Sequence, residues 1–195
     1  KNPVQDDTGE FCNLGQAGPV WFLAGTFGVT GVERKCTIPA GKAIFYPLVN
    51  AFWINEPGDE VFTDEEVRTL LATTAGGDGA CQLTSTLDTF DTPNLGELPA
   101  PVTAHLQSVV RAQSPRITIE LPEDNILGFP PGPNERLIAE GYWVMLPPLT
   151  PGKHRLNLHG AACAETKEGM LEKTFETDVT YHLRVLRKRH CCRNK

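Results

Sequence analysis

A chain of 195 residues, 40 % of them hydrophobic, is long enough to bury a core, and one domain over 1–195 accounts for it more simply than two. Its formal charge of −6 speaks against a nucleic-acid binder, whose phosphate contacts need a basic surface. No run reaches the roughly 20 apolar residues that span a bilayer, because Pro47, Asn50, Pro147 and Pro148 interrupt the longest ones.

Residues 1–19 are polar and rich in turn formers, and read as a loop-like lead. VWFLA (20–24) is a first apolar strand, after which Gly25, Gly28 and Gly31 break the chain into turns before Cys36. A second strand runs over 43–54, with Pro47 marking a bulge or an edge. Thr63 stands three residues before Glu66, ahead of Val67, Leu70 and Leu71, so a capping box and a one-sided apolar stripe predict a short helix over 64–74. Residues 80–87 form a strand, 88–104 a proline-bearing excursion, and 105–112 a short helix. In RITIELP, Ile117, Ile119 and Leu121 alternate with polar residues as in a strand. The loop over 123–135 holds Gly128, Pro130, Pro131, Gly132 and Pro133, and is expected to be long, stiff and unpaired.

The stretch 141–160 carries the strongest architectural signal. Tyr142 to Leu146 is unbroken apolar, the pattern of a strand covered on both faces, and Thr150-Pro151-Gly152 reverses the chain. From Lys153 the alternation resumes, so the two halves read as a hairpin. The most regular strand spans 175–185, and a basic tail occupies 187–195. Many strands, one helix and no βαβ rhythm predict an all-β fold: a mainly antiparallel β-sandwich, jelly-roll or immunoglobulin-like.

Six cysteines favour disulfides, since their spacing matches neither a zinc ribbon nor a CxxC pair. Fifteen pairings are open in principle. Cys12 with Cys36 is the first choice because they flank the first apolar strand, which leaves Cys81 with Cys163. Adjacent Cys191 and Cys192 admit a vicinal bridge, an intermolecular bridge or free thiols. A start at Lys1 without an apolar leader is the form of a processed secreted chain, or of a trimmed one.

GPVWFLAG, CTIPAGKAIFYPLVN, SPRITIELPEDNILG, GYWVMLPPLTPGKH and FETDVTYHLRV, in this order over about half the chain, together resemble a family of secreted, largely uncharacterised bacterial β-rich proteins. The resemblance implies export and a compact β domain, and brings no catalytic residues with it.

No GxSxG elbow is present, and disulfides would consume the thiols, so nucleophilic catalysis has no sequence anchor. His159 and His182 fall on the outward parity of their strands, where two imidazoles without a third ligand read as surface, while His154 falls on the inward parity. Asp124 and Asn125, with Glu140 and Asn50, are the candidate metal ligands, and calcium suits such an oxygen set. The competing reading makes Asp124 and Asn125 turn residues bonded to their own backbone. Trp53 at a strand end, with Glu56 and Asp59 close by, is the candidate ligand-binding group; Trp21 and Trp143 read as core. The sequence thus supports a secreted, non-enzymatic ligand-binding or structural surface protein with a glycan or protein partner. The alternative is a secreted hydrolase acting on a glycan or polymer through carboxylates.

Overall fold

The computed structural model describes residues 2–54, 62–74, 77–89, 102–103 and 109–187. Ten strands and one α-helix lie within them: β1 (Val20–Phe22), β2 (Val32–Ile38), β3 (Ala43–Trp53), α1 (Asp64–Ala72), β4 (Ala80–Thr89), β5 (Val102–Thr103), β6 (Val109–Gln113), β7 (Ile117–Leu121), β8 (Gly132–Leu146), β9 (Gly152–Glu165) and β10 (Leu171–Val185). Sheet A has the order β1-β3-β8-β6, with β7 also paired to β8; sheet B has the order β2-β10-β9-β4-β5. The β-rich, two-sheet architecture with one helix agrees with the sequence. The pairings are mainly antiparallel, as expected, and the parallel pairs β1·β3 and β2·β10 make both sheets mixed.

The core lies between the sheets. Ile44, Tyr46 and Leu48 of β3 and Val144 and Leu146 of β8 meet Leu156 and Leu158 of β9 and Val179, Tyr181 and Leu183 of β10, all buried. At Gly160 the sheets approach so closely that a Cβ would lie 2.2 Å from the Leu48 carbonyl oxygen, so only glycine fits that site of β9. Beyond Leu48, a register shift between Pro47 and Val49 bends β3. There α1 replaces sheet B as the cover of sheet A, burying Val67 and Leu71 against Ile138 with Trp53, Phe62 and Ala51 alongside. The helix begins at the capping box read from the sequence: Thr63 Oγ1 accepts from the Glu66 amide, and Glu66 Oε2 accepts from the Thr63 amide at 2.7 Å. Hydrogen bonds donated by the Thr63 amide and hydroxyl hold the Glu66 carboxyl below its ordinary range.

Three local expectations are corrected. The 141–160 stretch is not a hairpin, because β8 pairs with β3, β6 and β7, whereas β9 pairs with β10 and β4. Two consecutive prolines, 147 and 148, remove the donors that a ladder would need at its first rungs. The five residues 147–151 instead carry the chain across the roughly 10 Å between packed sheets. Of the helix expected over 105–112, residues 104–108 lie outside the described ones. Val109–Gln113 is strand β6, its Val109, Arg111 and Gln113 facing inward and Val110 and Ala112 outward. Finally, the loop expected to stay unpaired to residue 135 ends at Gly132, which pairs with Leu121. Pro133 is accepted there because it lies at the start of the strand.

Strand β2, missed in the sequence, alternates Val32, Arg34, Cys36 and Ile38 inward with Glu33, Lys35 and Thr37 outward. Arg34 hides the pattern, since a charge at an inward position breaks the hydrophobic period, yet Arg34 is 1 % exposed. Its guanidinium donates to the carbonyls of Val4, Asp6, Ala24 and Gly25 and to the Tyr181 hydroxyl. The lead is therefore anchored, and the Cys12–Cys36 disulfide fastens it again. Cys81–Cys163 is the second bridge, so both first-choice pairings are found; Cys191 and Cys192 lie outside the described residues.

Asp6 organises the lead from within. Its Oδ1 accepts from the Thr8 and Gly9 amides at 2.8 and 2.9 Å, and its Oδ2 accepts from the Phe11 amide at 2.7 Å. Burial alone would push this carboxyl up, but the hydrogen bonds from Phe11, Thr8 and Gly9 outweigh it and bring the pKa from 3.8 down to about 2. A carboxyl depressed in the folded state stabilises fully above its unfolded pKa, and that contribution disappears as pH falls from 3.8 to about 2. Allowing for solvent screening, it amounts to about 1–2 kcal/mol. Asp6→Asn is expected to flatten the acid limb of a stability-versus-pH curve between those values while leaving its slope above pH 5 unchanged. An acid limb identical to wild type would show that Asp6 titrates alike folded and unfolded.

Candidate functional site

The outward face of sheet A is built from the alternate residues of four strands. Val20 and Phe22 come from β1, Ala43, Phe45 and Pro47 from β3, Trp143 and Met145 from β8, and Val110 and Ala112 from β6. The register sets them in rows. Phe22, Phe45 and Met145 lie directly across from one another, and Pro47, Trp143 and Val110 form the next row. The β3 register shift then turns Asn50 outward beside Ala139 and Gly141, and a Cβ on Gly141 would lie 2.5 Å from that of Asn50. None of these outward residues is charged, and Asn50 alone has a polar side chain.

Their exposure is substantial. Val110 is 60 % exposed, Phe22 52 % and Met145 49 %. The rings are ordered among themselves: Phe45 stacks on Trp143 with centroids 5.4 Å apart and planes 12° apart, and Phe22 meets Phe45 edge-on at 5.8 Å. A sugar ring stacks on an open aromatic face, but Phe45 already gives one face to Trp143. The result is an apolar ridge whose rings brace one another, which suits the hydrophobic centre of a protein interface. A strand facing water on one side normally alternates apolar-in with polar-out, and the outer face of sheet A departs from that pattern.

The sequence-stated candidates are placed elsewhere. Trp53 is half-buried against Phe62, with centroids 5.2 Å apart, in the small cluster beneath α1. Trp143, assigned to the core, stands on the outer face. Glu56 and Asp59 lie outside the described residues. The signal for Trp143 was present: in GYWVML one parity, Tyr142, Val144 and Leu146, suffices for the core, which leaves Trp143 and Met145 to the other face.

The oxygen set does not assemble around a common point. Asn125 Oδ1 accepts from the Leu127 and Phe129 amides, each at 3.2 Å, and its Nδ2 donates to the Pro122 and Phe129 carbonyls, the turn role that competed with calcium. Asp124 is exposed in the same turn. Glu140 is 2 % exposed on the inward parity of β8, so Asn50 and Glu140 project from opposite faces of sheet A. Among the described residues no three His, Cys, Asp or Glu side chains converge on a point that could hold a metal ion.

Glu140 has a structural assignment. Arg111 Nε donates to its Oε1 and Gln113 Nε2 to its Oε2, both at 2.7 Å, and Arg111 also reaches Asp78 at 2.7 Å. Hydrogen bonds to Glu140 and then Asp78 hold the Arg111 guanidinium more firmly protonated than usual. Tyr46 is fully buried with its hydroxyl 2.7 Å from Ser85 Oγ, and burial pushes its pKa up to about 12. His154 is buried as its parity implied, Nε2 lying 2.7 Å from the Thr150 carbonyl oxygen. His159 and His182 each meet one carboxylate, Glu176 at 2.9 Å and Glu33 at 3.3 Å.

No helix among the described residues is long and apolar enough to cross a membrane. Comparison of the chain with models of protein families, with curated proteins and with solved structures gave no match.

Proposed function

We propose that the chain is a secreted, non-enzymatic structural or binding protein that works by association, with the outer face of sheet A as the contact surface. The carrying observation is that the described outward residues of this four-strand face carry no charge and expose Phe22, Val110 and Met145 around the Phe45–Trp143 stack. Two disulfides support an oxidising compartment, in keeping with the family resemblance. The occupant is a second copy, outer face to outer face. An isologous contact needs only one self-complementary patch, and an uncharged patch is self-complementary in a chain whose net charge of −6 would oppose most other pairings. A hydrolytic role has less support, because the buried carboxylate Glu140 already gives both oxygens to Arg111 and Gln113.

Sedimentation analysis tests the proposal. The protein is expected to sediment as a dimer at micromolar concentration, and Met145→Glu with Val110→Glu to shift it to monomer, weakening association at least a hundredfold. Both side chains are exposed, so the unfolding midpoint should move little. A wild-type monomer at high micromolar concentration, or a dimer indifferent to both changes, would overturn the reading.

A further inference from the structure

The opposite face of the molecule has the contrary character. On the outer side of sheet B, His182 lies directly across from Lys35 on one flank and from Arg155 on the other, and Arg184 lies directly across from Lys153. Five basic side chains thus occupy two adjacent rows of three strands, in a chain whose acidic residues outnumber its lysines and arginines, 24 to 18. Like charges placed directly opposite in a sheet are destabilising, and here Lys153 and Arg184 are such a pair. Among the described residues Lys35, Arg155 and Arg184 make no ion pair, His182 meets Glu33 at 3.3 Å, and Asp88 of β4 lies across from Arg155 in the ladder.

The surface around these rows is concave. A cleft of about 690 Å³ is lined by Lys35, Lys153, His182 and Arg184, with Asp7 and Glu33 at its acidic side. A second hollow of about 440 Å³ shares Lys153 and Arg184 and adds Arg187, with no acid among its described lining residues. From these we infer that the outer face of sheet B is a binding site for an acidic polysaccharide, a sugar chain bearing sulfate or carboxylate groups.

The sheet lattice spaces the cations about 5 Å apart between strands and about 7 Å apart along them. A single small anion spans one such interval, so occupying both rows requires an extended ligand with repeated negative groups. The open, shallow shape suits a chain lying across β2, β10 and β9. The overall charge of −6 opposes approach of a ligand as densely charged as a nucleic acid, whereas a glycan with sparser charges feels chiefly the local cations within a Debye length. Glu33, inside the cleft, should weaken binding of any anion, which gives the site a signature that nonspecific adhesion lacks.

Binding is read by retention and titration on immobilised dextran sulfate, with neutral dextran and a single-stranded DNA oligonucleotide in parallel. Wild type is expected to bind dextran sulfate, to release as salt rises, and to ignore neutral dextran. Lys153→Glu with Arg184→Glu should weaken binding at least tenfold, Glu33→Gln should tighten it two- to fivefold, and Lys167→Glu, in an exposed turn away from these rows, should leave it unchanged. An unchanged unfolding midpoint in each variant separates loss of the site from loss of the fold. Equal binding by the double variant, no effect of Glu33→Gln, no binding at low salt, or tighter binding of the oligonucleotide would each overturn the assignment. None of these outcomes depends on the contact proposed for sheet A.

Discussion

Arg34→Met is expected to destabilise the protein by about 4 kcal/mol or more, in a chain whose total stability should lie within the usual range of about 5–15 kcal/mol. Methionine keeps most of the buried volume, so the loss measures the polar network more than a cavity. Arg34 gives donors to four backbone carbonyls, two of them in the lead at Val4 and Asp6 and two at Ala24 and Gly25, and its guanidinium lies 5.7 Å from the centre of the Tyr181 ring. The Tyr181 hydroxyl donates to Ala24 at 2.7 Å and would keep that carbonyl satisfied. The other three lose their donor, at about 1–3 kcal/mol for each buried acceptor left unpaired, less whatever water recovers. Arg34→Lys should rescue little, because three donors on one nitrogen cannot reproduce a planar fork that serves both sides of the residue. Chemical denaturation gives the free energy. Hydrogen exchange gives the location, since the Gly9 and Phe11 amides, now bonded to Asp6, should lose protection first. A loss under 1 kcal/mol with Phe11 still protected would mean that the lead is held by the Cys12–Cys36 bridge alone.

The same residue shows where sequence reasoning reaches its limit. Regularities confined to one segment were legible: Thr63 and Glu66 announced α1, and the alternation over 175–185 announced the C-terminal part of β10. Both disulfides were legible because few sensible partners were available. Strand β2 was not, because Arg34 sits inward, and what makes it acceptable there is a set of carbonyls up to 30 residues away in the chain. The 141–160 stretch was legible as two strands and a turn but not as a crossing, since whether two strands pair or face each other depends on β3, β6, β4 and β10 competing for their edges.

The candidate site failed to show for a related reason. An unbroken apolar run such as Tyr142–Leu146 says that both faces of a strand avoid water, and the sequence reading filled both faces with this chain's own core. Sheet B and α1 cover one face of sheet A, and the described residues leave Phe22, Met145 and Val110 open on the other. The strand was read correctly but its double cover was not, because whether this chain's own core fills the second face is not a property of local sequence. Asn125 errs in the opposite direction. Its side chain has the oxygen of a calcium ligand, and the four bonds it makes within its own loop become visible only when Pro122 and Phe129 are brought to it.

Replacing Cys81 and Cys163 by serine is expected to cost about 4.5 kcal/mol and replacing Cys12 and Cys36 about 3.4 kcal/mol, from the loop-closure entropy that each bridge removes from the unfolded chain. The order follows from sequence separation, 82 residues for the first bridge and 24 for the second, since a longer loop leaves the reduced chain more freedom to lose. Structure adds to the first value. Cys81 lies in the register shift between Ala80 and Gln82 of β4, and Cys163 lies beside Ala162 of β9, so the bridge clamps the pair at a break in its ladder. Structure adds to the second value too, because Cys12 belongs to the lead that Arg34 and Asp6 hold against β2. Urea denaturation of the two double-serine proteins, at a pH well above the Asp6 transition, gives both numbers with the carboxyl fully charged. If the Cys12–Cys36 variant proves the less stable of the two, tethering of the lead in the folded state outweighs loop entropy. Adding Arg34→Met to that variant should then lose less than the sum of the separate changes, because the two devices hold the same segment.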